Sequence, residues 1–321
     1  MVSVTKDQAK TAKNLIIEQR ADPWVFKHTD GYYYFTASVP EYNGIELRRS
    51  KTIKEIAEAE PVMIWKKHET GPMSSLIWAP EIHYINGSWY IYFAAAPSKE
   101  IIDGLFQHRM FVIENKSANP LEGTWEEKGK INTDWDSFAL DATSFEHKSQ
   151  QYLVWAQKDP TIKGNSNLYI ATLENPWTIK GPQVMIAKPE FDWETIGFWV
   201  NEGPAVLKRN GKIFISFSGS ATDENYAMGL LAADENSDVM DPNSWSKSKK
   251  PVFKTCYETG QYGPGHNSFT VSEDGSKDIL VYHVRNYTEI VGDPLYDPNR
   301  HTCAKEFAWN PDGTPNFGTP E

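Results

Sequence analysis

The chain has 321 residues, of which 13% are aromatic, including 12 tryptophans. Its 43 acidic residues outnumber its 32 Lys and Arg residues, and the resulting formal charge of −11 argues against a nucleic-acid partner. The longest apolar run before Arg20 is Leu15–Ile17, which is too short for a signal-peptide core or a membrane span, so the sequence predicts a cytoplasmic protein without membrane association.

The first recurring feature along the chain is a short aromatic phrase that returns about every sixty residues. Four of the five phrases follow an Asp-Gly or Asn-Gly pair, which is typical of a tight hairpin turn leading into a β-strand. The phrases occupy residues 31–35, 88–93, 151–155, 212–217 and 278–283. We therefore predict that each phrase is a strand entered from a hairpin.

A second feature precedes each phrase, where a polar residue lies in a short stretch that contains proline or glycine in four of the five cases. These residues are Asp22, Glu81 or one of its neighbours, Asp141, Glu202 and His266. In a propeller the strand before such a hairpin can be the innermost one, which lines the central channel. We therefore expect the five side chains to converge on one axis. Carboxylates gathered in this way are costly unless they serve a function.

Repetition at this period indicates radially arranged sheets, and it predicts an all-β fold, specifically a five-bladed β-propeller. No linker, charge block or low-complexity segment interrupts the series, so we predict one domain over residues 1–321. Two segments are candidates for completing the last sheet: the N-terminal segment and the strand-like residues 305–309.

Three of the acidic residues, Asp22, Asp141 and Glu202, are candidates for catalysis. Hydrolysis of a glycosidic bond needs one group that protonates the leaving oxygen and another that acts as a nucleophile or activates water, and two carboxyl groups in different environments can do both. A third carboxylate about 6 Å away would raise the pKa of the acid through a repulsion of roughly 2.8 kcal/mol. Taken singly, each residue is explained equally well as a turn former or a loop cap.

The phrases around these residues also resemble glycoside hydrolase family 43, and the resemblance covers nearly the whole chain. The matching motifs are Ala21-Asp22-Pro23, Trp78-Ala79-Pro80-Glu81, Leu140-Asp141-Ala142 and Asn201-Glu202-Gly203-Pro204. The resemblance implies a five-bladed propeller enzyme that inverts the anomeric centre. It implies that Asp22 is the general base, that Glu202 is the general acid, and that Asp141 raises the pKa of the acid and helps to orient it.

The resemblance further implies a substrate that contains arabinose or xylose. Residues 197–200 and 262–267 are most similar to bacterial α-L-arabinofuranosidases, so we expect removal of α-L-arabinofuranosyl residues from an arabinose-containing oligosaccharide or polysaccharide, without a required cofactor. Two alternatives stay open at this point: a β-xylosidase of the same family, and a propeller that binds carbohydrate without catalysis.

Four further residues are candidates for substrate binding. Trp78 and Trp199 precede acidic channel residues and could stack on a pentose ring, although packing between blades explains them equally well. Arg285 could donate to sugar hydroxyls or pair with an acid. By the resemblance, His266 is expected near the active centre, where a calcium ion can lie beside it, and its alternative is a hydrogen-bonded core histidine.

Overall fold

The computed structural model describes residues 12–321, and its strands form five four-stranded antiparallel sheets and two small two-stranded sheets. Among these residues, no helix is long and apolar enough to cross a membrane. In chain order the strands are β1 (Leu15–Ile17), β2 (Ala21–Lys27), β3 (Tyr33–Ser38), β4 (Gly44–Ser50), β5 (Val62–Lys66), β6 (Ser75–Ile85), β7 (Ser88–Ala96), β8 (Ile101–Ile102), β9 (Leu105–Phe106), β10 (Arg109–Asn115), β11 (Glu126–Lys130), β12 (Ala139–His147), β13 (Gln150–Gln157), β14 (Asn167–Asn175), β15 (Thr178–Ala187), β16 (Asn201–Arg209), β17 (Lys212–Gly219), β18 (Ala227–Asp234), β19 (Ser246–Lys247), β20 (Tyr262–Val271), β21 (Asp278–Arg285), β22 (His301–Glu306), β23 (Ala308–Trp309) and β24 (Pro315–Asn316). Short 3₁₀ helices lie in the connections, at Lys54–Ile56, Asp192–Glu194, Pro242–Ser244 and Pro294–Tyr296.

The five four-stranded sheets are the blades of a propeller, and they are numbered one to five along the chain. They contain β2 to β5, then β6, β7, β10 and β11, then β12 to β15, then β16 to β19, and last β20, β21, β22 and β1. The first strands of the blades, β2, β6, β12, β16 and β20, contact one another in sequence around a ring. The prediction of an all-β, five-bladed β-propeller is confirmed.

The recurring aromatic phrases form the second strand of every blade, as the turn signals predicted. Asn86 and Gly87 have φ of 50° and 87°, and Asn210 and Gly211 have φ of 56° and 71°. Two successive positive φ values are characteristic of the type I′ turn that favours two-residue hairpins, and such turns join β6 to β7 and β16 to β17. Aromatic side chains of these second strands, such as Trp155 in blade three, are fully buried between neighbouring sheets.

The fifth blade takes its outermost strand from an early part of the chain. Strand β1 pairs with β22, with Leu15 opposite Cys303 and Ile17 opposite Thr302. Of the two candidates for closing the ring, the N-terminal segment therefore supplies the fourth strand, while Lys305 and Glu306 belong to the third. The single domain over residues 1–321 stays a prediction, and residues 1–11 lie outside the described part of the chain.

Candidate active site

Every innermost strand contains a β-bulge, and one residue of each bulge has a left-handed backbone. These residues are Asp22 (φ 55°), Ala79 (46°), Asp141 (59°), Gly203 (57°) and His266 (43°). The register with the second strand shifts at each of these points. A bulge re-aims a side chain out of the regular alternation, and all of these residues except Gly203 line a common pocket.

The acidic residues of the five blades do not occupy equivalent positions, contrary to the prediction from the sequence. In blade two the bulged residue is Ala79, whereas Glu81 is buried beside His83, with 3.2 Å between Oε2 and Nε2, and does not line the pocket. In blade four the bulged residue is Gly203, and Glu202 is the residue immediately before it. Trp78 precedes Ala79 in the same way, and both Trp78 and Glu202 line the pocket.

Asp22 is buried and surrounded by hydrogen-bond donors and a cation. Arg300 Nη1 and His266 Nδ1 each lie 3.2 Å from its Oδ1, and Ser38 donates to its Oδ2 at 2.6 Å. Burial alone would raise the pKa of Asp22, but His266, Arg300 and His283 outweigh burial and hold this pKa well below its usual value. Asp22 is therefore a carboxylate throughout the neutral range.

Glu202 has the opposite environment. Burial raises its pKa to about 7, and the negative charge of Asp22 adds to the rise, while Tyr226 and Arg300 oppose it. Tyr226 donates its hydroxyl proton to Glu202 Oε1 at 2.8 Å. A carboxyl group with this pKa holds its proton near neutral pH and can give it to a leaving group.

Asp141, in blade three, lies beside Glu202 and accepts a hydrogen bond from the backbone of blade four, to which Glu202 belongs. The Gly203 N–H donates to Asp141 Oδ2 at 2.9 Å. Burial raises the pKa of Asp141 well above its usual value, and the charges of Glu202 and Asp22 add to the rise. A Cβ atom at Gly203 would lie only 3.0 Å from His266 Cγ, so glycine is required both by its positive φ and by the neighbouring ring.

His266 lies in the pocket, as predicted, and its Nε2 is buried without a hydrogen-bond partner among the described residues. Calcium prefers six to eight oxygen ligands. His266 offers a nitrogen, and the adjacent Asp22 carboxylate is already paired with Arg300. Within residues 12–321, no cluster of three or more His, Cys, Asp or Glu side chains could hold a metal ion. These residues do not fit a calcium cage, and calcium near His266 stays an untested prediction.

Trp78 also lines the pocket, but one face of its indole is covered. His108 stacks on it with ring centroids 3.9 Å apart and an interplanar angle of 22°. Tyr42 and Phe106 contact it edge-on, at 5.7 and 5.3 Å. At most one indole face is therefore left for a sugar.

Two binding predictions need correction. Trp199 does not line the pocket, although Phe198 and Val200 on either side of it do. Its ring lies instead beneath Lys163, whose Nζ is 3.9 Å from the ring centroid. The aromatic residue of this segment that lines the pocket is Phe198.

Arg285 likewise does not lie where the predicted contact with sugar hydroxyls would require it. Its side chain is buried, pairs with Asp297 Oδ1 at 2.6 Å and donates to the Pro294 carbonyl at 2.6 Å. Asp293 and Leu295 of the same loop line the pocket, whereas Arg285 does not. Arg285 therefore holds a loop of the pocket in place and does not reach into it.

Sequence reasoning missed Arg300, Tyr226 and Ser38. Arg300 immediately precedes β22 and donates to both Asp22 and the Tyr42 hydroxyl, the latter at 3.0 Å. Ser38 ends β3, and Tyr226 immediately precedes β18. None of the three lies in the two recurring phrases, so the repeat contained no signal for them.

Comparisons with known proteins agree with this geometry. The sequence model described as "Glycosyl hydrolases family 43" matches residues 12–315. An extracellular exo-α-(1→5)-L-arabinofuranosidase of Streptomyces avermitilis is 55% identical over 97% of this chain and 64% of its own length. Alpha-L-arabinofuranosidase 43 of Humicola insolens is 54% identical over 98% of this chain and 65% of its own length. The chain thus spans slightly less than two thirds of these two relatives.

A solved structure gives the same result over a full chain. The crystal structure of an α-L-arabinofuranosidase from Lactobacillus brevis is 62% identical, covers 97% of both chains and superposes with a TM-score of 0.95. The prediction of a cytoplasmic protein is wrong by these comparisons, because the Streptomyces avermitilis relative is named as extracellular. That prediction depended only on the lack of a long apolar run before Arg20.

Proposed function

Because the chain belongs to family 43 of the glycosyl hydrolases, we propose that it removes terminal α-L-arabinofuranosyl residues from arabino-oligosaccharides or arabinan by hydrolysis with inversion. The names of the relatives support the sugar and the bond. The pocket supports the chemistry, since the carboxyl groups of Asp22, Asp141 and Glu202, from three different blades, all line it.

The observation that carries this proposal is the opposite electrostatic setting of Asp22 and Glu202. The pKa of Asp22 is held well below its usual value, whereas burial raises the pKa of Glu202 to about 7. Near neutral pH one group is therefore ionised while the other is substantially protonated. Environments that push two carboxyl pKa values apart in this way assign the base and the acid.

In the proposed reaction, Asp22 accepts a proton from a water molecule as that water attacks the anomeric carbon. Glu202 gives its proton to the oxygen of the departing sugar, and the glycosidic bond breaks. Since water attacks from the face opposite the leaving group, the first product is the β-anomer of arabinofuranose. Asp22 ends protonated and Glu202 ionised, and exchange of protons with solvent restores both.

The residues around the pair have supporting roles in this proposal. His266, Arg300 and His283 keep Asp22 ionised, and the hydrogen bond from Ser38 helps to fix the direction of its oxygens. Asp141 accepts a hydrogen bond from the Gly203 N–H, next to the acid in the same strand, so it ties this part of the strand in place and helps to orient Glu202.

The two alternatives have weaker support. A β-xylosidase of Bacillus halodurans has a similar structure with a TM-score of 0.74, but at 18% identity it supports the fold alone. A propeller that only binds carbohydrate gains nothing from three buried carboxyl groups whose charges repel one another.

The test is the sugar that the protein releases. We expect arabinose from p-nitrophenyl α-L-arabinofuranoside and much slower release of xylose from p-nitrophenyl β-D-xylopyranoside. Proton NMR of the first product should show the inverted anomer. Inactivity on both glycosides would refute a glycosidase, and a retained configuration would refute the roles of Asp22 and Glu202.

A further inference from the structure

Blade four contains a buried ion pair that the proposed mechanism does not use. Glu194 ends the 3₁₀ helix at Asp192–Glu194 and is 0% exposed. Lys247 lies on β19, the outermost strand of the blade, and its Nζ is 2.6 Å from Glu194 Oε1. Neither residue lines the pocket. Because taking two charges out of water is costly, such a pair persists only where further hydrogen bonds satisfy it.

The connection between blades three and four supplies part of these hydrogen bonds. Glu194 Oε2 accepts from the backbone N–H groups of Glu190 and Phe191, each at 2.8 Å. Lys247 Nζ donates to the Lys188 carbonyl at 2.6 Å. The ion pair therefore joins the outermost strand of the blade to residues 188–194.

The side-chain amide of Asn201 lies between the two charges and is buried with them. Its Nδ2 donates to Glu194 Oε1 at 3.0 Å and to the Val200 carbonyl at 2.9 Å, and its Oδ1 accepts from Lys247 Nζ at 3.2 Å. A carboxylate can only accept and an ammonium can only donate, so the orientation of this amide is fixed. The backbone N–H of Asn201 also donates to the Ser166 carbonyl, at 3.1 Å.

Asn201 begins β16 and is the residue immediately before the acid. Glu202 follows it, and Gly203 then forms the bulge, with its N–H bound to Asp141 Oδ2 at 2.9 Å. The acid is thus bracketed by two fixed residues of its own strand. One is bound to blade three, and the other is bound to the buried ion pair.

We propose that the network of Lys247, Glu194 and Asn201 positions the acid Glu202, an inference that rests on the proposed function. The network fixes where the innermost strand of blade four begins, and thereby the place from which Glu202 gives its proton. Proton transfer needs the acid within hydrogen-bond reach of the leaving oxygen, so a small displacement slows that step. Activation of water by Asp22, on blade one, does not depend on this network.

The test is Asn201→Ala, which removes the amide and leaves the ion pair of Lys247 and Glu194 intact. It is compared with the wild type on α-1,5-arabinotriose, whose leaving sugar needs a proton, and on p-nitrophenyl α-L-arabinofuranoside, whose leaving group does not. We expect kcat to fall about tenfold on arabinotriose and less than about twofold on the p-nitrophenyl glycoside. KM should stay unchanged for both, because Asn201 does not line the pocket.

Lys247→Met is the second variant, since it keeps the length of the side chain and frees the other end of the Asn201 amide. It should reduce activity on arabinotriose selectively in the same way. Trp245→Phe is the control for stability alone. Trp245 is buried in the same blade, donates to the Val239 carbonyl at 3.0 Å and does not line the pocket. Its loss should lower the melting temperature without changing the ratio of the two activities.

The outcomes separate this inference from the proposed function. A wild type inactive on both substrates overturns the proposed function and the positioning role with it. An active wild type overturns the positioning role alone if neither variant changes the ratio of the two activities. That holds whether both activities fall together, neither falls, or the two variants do not fold, because the network would then serve stability only.

Discussion

The hydroxyl of Tyr226 sets the pH at which the proposed acid loses its proton, and Tyr226→Phe isolates this effect. The hydroxyl donates to Glu202 Oε1 at 2.8 Å; Tyr226 is buried and Glu202 is half-buried. The Tyr226 ring stacks on His283 with centroids 5.5 Å apart, and phenylalanine can keep that contact. The substitution therefore removes one hydrogen bond and little else.

The size of the effect follows from the bond that is lost. A hydrogen bond to a charged group contributes about 1.5–3 kcal/mol, and the protonated acid keeps part of it. A difference of about 1.4 kcal/mol between the two protonation states equals about one pKa unit. Because the hydroxyl favours the carboxylate, its loss should raise the pKa of Glu202 from about 7 to about 8.

The assay is the dependence of kcat/KM on pH, which reports the groups of the free enzyme. The substrate should be α-1,5-arabinotriose, because p-nitrophenolate leaves without needing a proton. Glu202 acts in its protonated form, so activity falls as pH rises through its pKa. We expect the alkaline limb near pH 7 in the wild type and about one unit higher in Tyr226→Phe.

Tyr90→Phe provides the control, since the Tyr90 hydroxyl donates to Glu114 Oε1 at 2.7 Å, and neither residue lines the pocket. This variant should leave the alkaline limb where it is. An alkaline limb that stays in place or moves to lower pH in Tyr226→Phe would refute the assignment of Glu202 as the acid whose proton Tyr226 controls.

Three further substitutions test other parts of the site. Glu202→Gln should lose far more activity on arabinotriose than on the p-nitrophenyl glycoside, because only the former needs the proton, and equal losses would contradict this role. Gly203→Ala should lower the free energy of unfolding by at least about 1–2 kcal/mol in denaturant titrations, since its φ is 57° and its Cβ would press on His266. Arg285→Ala should lower the melting temperature by leaving Asp297 unpaired in a pocket loop, whereas an unchanged melt with impaired turnover would support sugar contact by Arg285.

The sequence predicts the blades well because two independent local signals recur in each of them. Asn-Gly or Asp-Gly turns locate most hairpins, and aromatic strands pack between sheets whatever the function is. The acids Asp22, Asp141 and Glu202 could be predicted because each lies on the first strand of its blade. In a propeller the first strand of a blade lies at the central axis. Their relative positions could not be predicted, because a bulge shifts every following side chain by one place.

Residues outside the repeat were beyond sequence reasoning for a different reason. Arg300 and Tyr226 act on Asp22 and Glu202 across distances along the chain that no local pattern encodes. Trp199 and Arg285 were misassigned because closeness in sequence to a candidate acid or channel strand says nothing about direction. Phe198 follows Gly197, whose φ is 76°, and a bend of this kind before a strand leaves no sequence signal for which neighbour enters the pocket; Phe198 lines it and Trp199 does not.

Closure of the fifth blade has a consequence for how the protein acquires activity. Strand β1 joins a sheet whose other strands lie between Tyr262 and Glu306, near the other end of the chain, and Asp22 lies in the strand that follows β1. Its partners Arg300 and His283 belong to the far side of this seam. In a chain whose ring has not closed, Asp22 faces bulk water without Arg300, so we expect the proposed hydrolysis only after the fifth blade is complete, and the onset of turnover would then report the last step of folding.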